Sequence, residues 1–180
     1  MLNIVPNLHP ISLHFPIALI SITTLLFLIA VLLKPSCSKE LLITSKYCLW
    51  LAGISAIIAA FFGWQAYNSV AHDAPSHAAM TVHRLWAVPT ATFIFLVALF
   101  SYFIRNQWGK ENVAITIILL LCASGLTSVT SYLGAEAVYR YGIGVMRVPE
   151  TDYHSHSGGM GATHDDNGTE DHNDMGSKNI

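Results

Sequence analysis

ISLHFPIALISITTLLFLIAVLL, residues Ile11–Leu33, contains no Asp, Glu, Lys or Arg. As an α-helix such a stretch is long enough to cross the hydrocarbon layer of a bilayer, roughly 30 Å thick. Three more runs have the same character: Tyr47–Tyr67, Leu85–Ile104 and Val113–Leu133, none with a charged residue in its middle. In lipid every backbone polar group needs an internal partner, so long continuous apolar runs indicate helices. A soluble bundle would need polar stripes, and these runs are apolar all round. The chain is 53% hydrophobic and 11% charged, far from an ordinary soluble domain. Its 180 residues suit one folded domain. The expected fold is therefore all-α: an integral membrane four-helix up-down bundle over 1–148, its neighbours antiparallel because the loops are short. The fourth helix is expected to extend to about 141.

Met1–Pro10 has no Lys or Arg, and the run behind it is too long for a signal-peptide core, so the first helix is expected to stay in the mature protein. Lys34, Lys39 and Lys46 follow the first run, and Arg105 and Lys110 follow the third. Arg84, Arg140 and Arg147 lie at the other face. The positive-inside rule then predicts a multi-pass protein of the inner (cytoplasmic) membrane with both termini outside. No basic patch points to nucleic acid. Cys37, Cys48 and Cys122 have no metal or disulfide spacing and read as small apolar residues. No nucleophile, phosphate-loop or zinc-protease motif appears, so an enzyme is not expected. Nor does any acid or base lie at mid-membrane depth, where transport relays sit.

What remains is histidine. His9, His14, His72, His77 and His83 all fall at one end of the alternating runs. Imidazole ligates haem iron and transition metals and moves protons near neutral pH. A lone interfacial histidine is more often inert; five on one rim point to a function. The first and third helices of an up-down bundle run in the same direction, and His14 and His83 fall at comparable depth on them. They are the expected axial ligands of one haem b, with His9 and His77 as supporting groups or propionate partners. No Cys-x-x-Cys-His occurs, which excludes c-type attachment to this chain. An alternative is a Cu, Zn or Ni site built from His72, Asp73 and Glu136. Glu136 also stands i, i+4 to Arg140 and can pair with it. A third reading is a cofactor-free membrane partner subunit of a redox complex.

From about Pro149 the composition changes. Residues 149–180 are rich in His, Asp, Gly, Asn and Ser with few large apolar side chains, and the expectation is a disordered tail. His154, His156, His164 and His172 make it a weak metal site or a solubilising segment with incidental histidines.

Three segments carry a family likeness. They are His9-Pro-Ile-Ser-Leu-His14-Phe-Pro-Ile-Ala-Leu, then Gly63-Trp64 with His83-Arg-Leu-Trp86, then Tyr132-Leu-Gly134 leading to Val138-Tyr-Arg-Tyr141-Gly142-Ile-Gly144-Val. Together they resemble the bacterial membrane-protein family catalogued as domain of unknown function 2231, over roughly Leu8–Val145. The resemblance implies four transmembrane helices. Similar domains occur beside Rieske or cytochrome c modules, which implies a respiratory setting and an external cytochrome or Rieske-type partner. The His-rich tail lies outside the resemblance.

Overall fold

A computed structural model describes residues 7–33, 35–104 and 109–145; the expectations for the tail, including His154, His156, His164 and His172, lie outside them. The described residues form α1 (His9–Ser12), α2 (His14–Leu32), α3 (Pro35–Ser69), α4 (Ala74–Ile104) and α5 (Lys110–Tyr141), with no strand among them. Four spans are long and apolar enough to cross a membrane: His9–Leu32, Ser38–Ser69, Ala74–Ile104 and Glu111–Tyr141. The outer surface is apolar as well as the core, with Leu32 85% and Phe103 71% exposed. Such a surface is at home in lipid and not in water.

The first span is broken at Leu13, between α1 and α2. Pro16 explains the break. It has no N–H for the carbonyl of Ser12 four residues back, and its ring crowds that carbonyl. The turn before it is held by Asn7, whose side chain accepts the His9 backbone N–H at 3.0 Å, and by Ser12, whose hydroxyl donates to the His9 carbonyl at 2.9 Å. α4 begins well before its apolar run. Asp73 Oδ1 accepts the Ser76 backbone N–H at 3.0 Å and also the Ser76 hydroxyl, and Pro75 falls in the first turn, where its missing N–H costs nothing. α5 reaches Tyr141 and stops at Gly142, whose φ of 64° suits a residue without a Cβ.

Around the bundle α2 packs on α3 and α5, and α4 packs on the same two, so the first and third spans face each other across a diagonal. The core is small and hydroxylic: Ile20, Phe27, Leu49, Ala52, Ala56, Ile94, Ala98, Leu120 and Ala123 with buried threonines and serines between them. Small residues allow helices to approach closely in lipid, where no hydrophobic effect drives them together.

The burial pattern repeats. On the second and fourth spans the buried positions coincide at a shift of 71 residues: Ser45 with Thr116, Leu49 with Leu120, Ala52 with Ala123, Ala56 with Thr127, Ala66 with Ala137. On the first and third they coincide at a shift of 74: Pro16 with Thr90, Ile20 with Ile94, Thr23 with Val97, Phe27 with Ser101. The bundle is thus two equivalent helical hairpins packed in parallel. The contacts between them obey the same rule. Gly53 abuts Ala98, with room so tight that a Cβ at Gly53 would sit 2.9 Å from the Ala98 Cβ. The equivalent positions, Ser124 and Thr24, also meet, by a 2.9 Å hydrogen bond.

Candidate functional site

His9 and His83 are equivalent in this repeat, and both turn inward at the same end of the bundle. Their ring centroids are 6.3 Å apart, with the ring planes at 67°. His9 lies on α3: its Nδ1 is 3.1 Å from the Ala59 carbonyl, and a Cβ at Gly63 would come within 3.0 Å of its Cε1. His83 lies on α5 in the same way, with a Cβ at Gly134 coming within 3.1 Å of its Cε1. Ala59 precedes Gly63 by one helical turn, as Thr130 precedes Gly134. The equivalence is not complete, since the buried Nδ1 of His83 makes no hydrogen bond of full geometry. Each ring therefore lies against a glycine of the neighbouring helix, His9 is held by the Ala59 carbonyl as well, and all four spans contribute.

The tautomer of His9 follows. A carbonyl only accepts, so His9 Nδ1 carries the proton and donates it to Ala59, leaving Nε2 as a lone pair. A second ring nitrogen tied to a carbonyl is the usual support of a metal-bound histidine.

The pairing differs from the expected one. The ring facing His83 is that of His9, while His14, one turn further along beyond the break at Leu13, is exposed. In one continuous helix the side chains at 9 and 14 would point to different faces, and only one of them can reach the bundle axis. His77 does not join the pair either. It sits at the rim with His72, where His72 Nε2 is 2.9 Å from His77 Nδ1 and the rings stack at 5.0 Å. Tyr67 Oη is 3.3 Å from His77 Nε2, and the Arg84 guanidinium lies over the Tyr67 ring at 4.4 Å.

His72, Asp73 and Glu136 are not brought together. Asp73 caps α4, and the Ser76 hydroxyl and backbone N–H on its carboxylate hold it below the usual carboxylate range. Glu136 pairs with Arg140 at 2.9 Å. Among the described residues no three His, Cys, Asp or Glu side chains gather at one point.

Further into the bundle, polar contacts continue between hydroxyls of neighbouring helices. Thr90 Oγ1 is 3.0 Å from Thr130 Oγ1, and Thr24 Oγ1 is 2.9 Å from Ser124 Oγ. Thr24, Thr90 and Thr127 each also bond the carbonyl four residues back, so their single protons are committed to their own helices.

Sequence reasoning named Gly63 and Gly134 within the family likeness but missed their contact with the histidines, and it missed the repeat. The signal was there: Phe61-Phe62-Gly63-Trp64-Gln65-Ala66 and Tyr132-Leu133-Gly134-Ala135-Glu136-Ala137 share an aromatic residue, a large apolar residue, Gly, then Gln or Glu and Ala at the same spacing. The three segments of the family likeness, far apart in the chain, converge on this one pair of rings.

Neither a curated protein nor a solved structure matches the chain. A family model does, over residues 5–147, and the chain belongs to the DUF2231 family of predicted membrane proteins.

Proposed function

We propose that the bundle holds one b-type haem at its histidine-bearing end, with His9 and His83 as axial ligands, and serves electron transfer between the quinone pool and an external acceptor. The observation that carries the reading is the pair itself. Two imidazoles that ligate one ion from opposite sides at about 2 Å would have centroids roughly 6 Å apart, and these lie at 6.3 Å. Two nitrogen donors suit a macrocycle, which brings its own equatorial donors, whereas a structural Zn(II) site takes four protein ligands. A haem in this setting supplies a one-electron couple.

The residues around it have definite tasks. Ala59 fixes the His9 tautomer so that Nε2 is the donor atom. Gly63 and Gly134 let the rings lie against helix backbone. Arg84, next to His83 in the chain, is the cationic partner for carboxylates that reach the interface. The lysine bias of the loops assigns this end to the outer face of the inner membrane, with both termini outside and an external cytochrome or Rieske-type protein as partner.

The test is the visible spectrum of protein purified from cells with ample haem. A reduced low-spin spectrum that is lost in His9→Ala and in His83→Ala, and kept in His14→Ala, supports the reading. Wild-type protein without a Soret band ends it.

A further inference from the structure

A second pair of imidazoles, at the rim, has the hydrogen bonding of a metal chelate. His72 Nδ1 is 2.7 Å from the Val70 carbonyl and so donates its proton there. Neutral His72 therefore presents Nε2 as a lone pair. The other ring is fixed by tracing protons from the far end of the network. Thr81 donates its hydroxyl proton to the His77 carbonyl at 2.9 Å. Between Tyr67 and Thr81, whose oxygens are 3.2 Å apart, the donor is then Tyr67. Its only proton being committed, the Tyr67 oxygen accepts from His77 Nε2 at 3.3 Å. That leaves His77 Nδ1 as a lone pair as well. Two lone pairs thus face each other across 2.9 Å, a repulsion that a cation, whether a shared proton or a metal ion, relieves.

The spacing suits a metal ion. Two cis imidazoles at about 2.0–2.1 Å from one ion put their nitrogens roughly 2.9–3.3 Å apart. Both outer N–H groups already rest on oxygens, of Val70 and Tyr67, which is how proteins orient ligating histidines. Both rings are exposed, so an ion has an entry path and its other positions stay open to water.

We propose that His72 and His77 form a two-imidazole chelate for a divalent transition-metal ion, Cu(II) binding most tightly by the Irving–Williams order. The site uses different atoms from the His9–His83 pair and stands or falls separately from the haem reading.

The test titrates Cu(II) into full-length protein in detergent, with His154, His156, His164 and His172 all changed to Ala so that the tail histidines do not compete. One equivalent is expected to bind, with an electron paramagnetic resonance signal showing two nitrogen ligands. His72→Ala or His77→Ala should weaken it at least about tenfold, and Tyr67→Phe, which removes the oxygen behind His77, by roughly tenfold. His9→Ala and His83→Ala should leave it unchanged. Copper binding that survives both rim substitutions, or that follows His9 and His83 instead, overturns the proposal.

Discussion

A methyl group separates glycine from alanine, and at Gly63 and Gly134 there is little room for it. Its Cβ would meet the imidazole Cε1 of His9 at 3.0 Å and that of His83 at 3.1 Å. The His9 ring must then move off the Ala59 carbonyl, the His83 ring must shift in its buried site, or the helices must part. Gly63→Ala and Gly134→Ala are each expected to destabilise the bundle by about 1–3 kcal/mol, read as a lower thermal midpoint in detergent. Under the haem reading each should also diminish the low-spin band, while His14→Ala changes neither quantity. Equal behaviour of the two glycine variants is the sharper part, because only the repeat makes them equivalent. An unshifted midpoint in both would show that the rings are not seated on these helices. The choice of His9 over His14 was hard to read from sequence. The helices are apolar on every side, so periodicity does not tell the bundle interior from the lipid face. What decides it is which face of the first span packs against its neighbours, since residues 9 and 14 lie on different faces of one helix.

At the scale of elements, hydropathy found all four spans and underestimated two of them. α3 starts at Pro35 and not near Tyr47, and α4 at Ala74 and not near Leu85. The cause is the same in both: the helices continue beyond the hydrocarbon into polar sequence, where no apolar signal marks them. Their local signals are Pro35, and Asp73 with Pro75, the cap and first-turn residues of helix starts. For α4 the extension matters, since it places His77 and His83 on one rigid element. Asp73→Ala should therefore fray the first turns of α4, with faster amide hydrogen exchange over Ala74–Met80 and no change at His83. The same cap gives a pH effect of known sign. Its carboxylate is held below the ordinary range by Ser76, so its stabilisation is complete above the unfolded value of about pH 4. It is lost as pH falls through the lower folded value. Exchange in this turn should accelerate only in acid, and an acceleration that sets in well above the ordinary carboxylate range would show that the Asp73 cap is not its cause.

On the scale of the whole molecule, the two hairpins meet along two seams that are equivalent by the repeat but differ chemically. One joins Gly53 to Ala98 by close contact; the other joins Ser124 to Thr24 by a hydrogen bond. Gly53→Val should open the first seam and cost about 1–3 kcal/mol, whereas Ser124→Ala removes a single neutral hydrogen bond, worth only about 0.6 kcal/mol between membrane helices. Thermal unfolding of the two variants distinguishes them, and a larger loss at Ser124 would reverse the roles of the seams. Because the hairpins are parallel, His9 and His83 must share one membrane face whichever way the bundle is inserted. The lysine bias of the opposite loops predicts the outer face. In a background with Cys37→Ser, Cys48→Ala and Cys122→Ala, a cysteine introduced by Asn68→Cys stands at the exposed histidine end of α3, and one introduced by Glu40→Cys at the exposed other end. An impermeant maleimide applied to intact cells should label the first and reach the second only after lysis. The reverse pattern would turn the imidazole pair toward the cytoplasm and remove an external redox protein from its reach, while leaving the pair, the repeat and the rim chelate as they are.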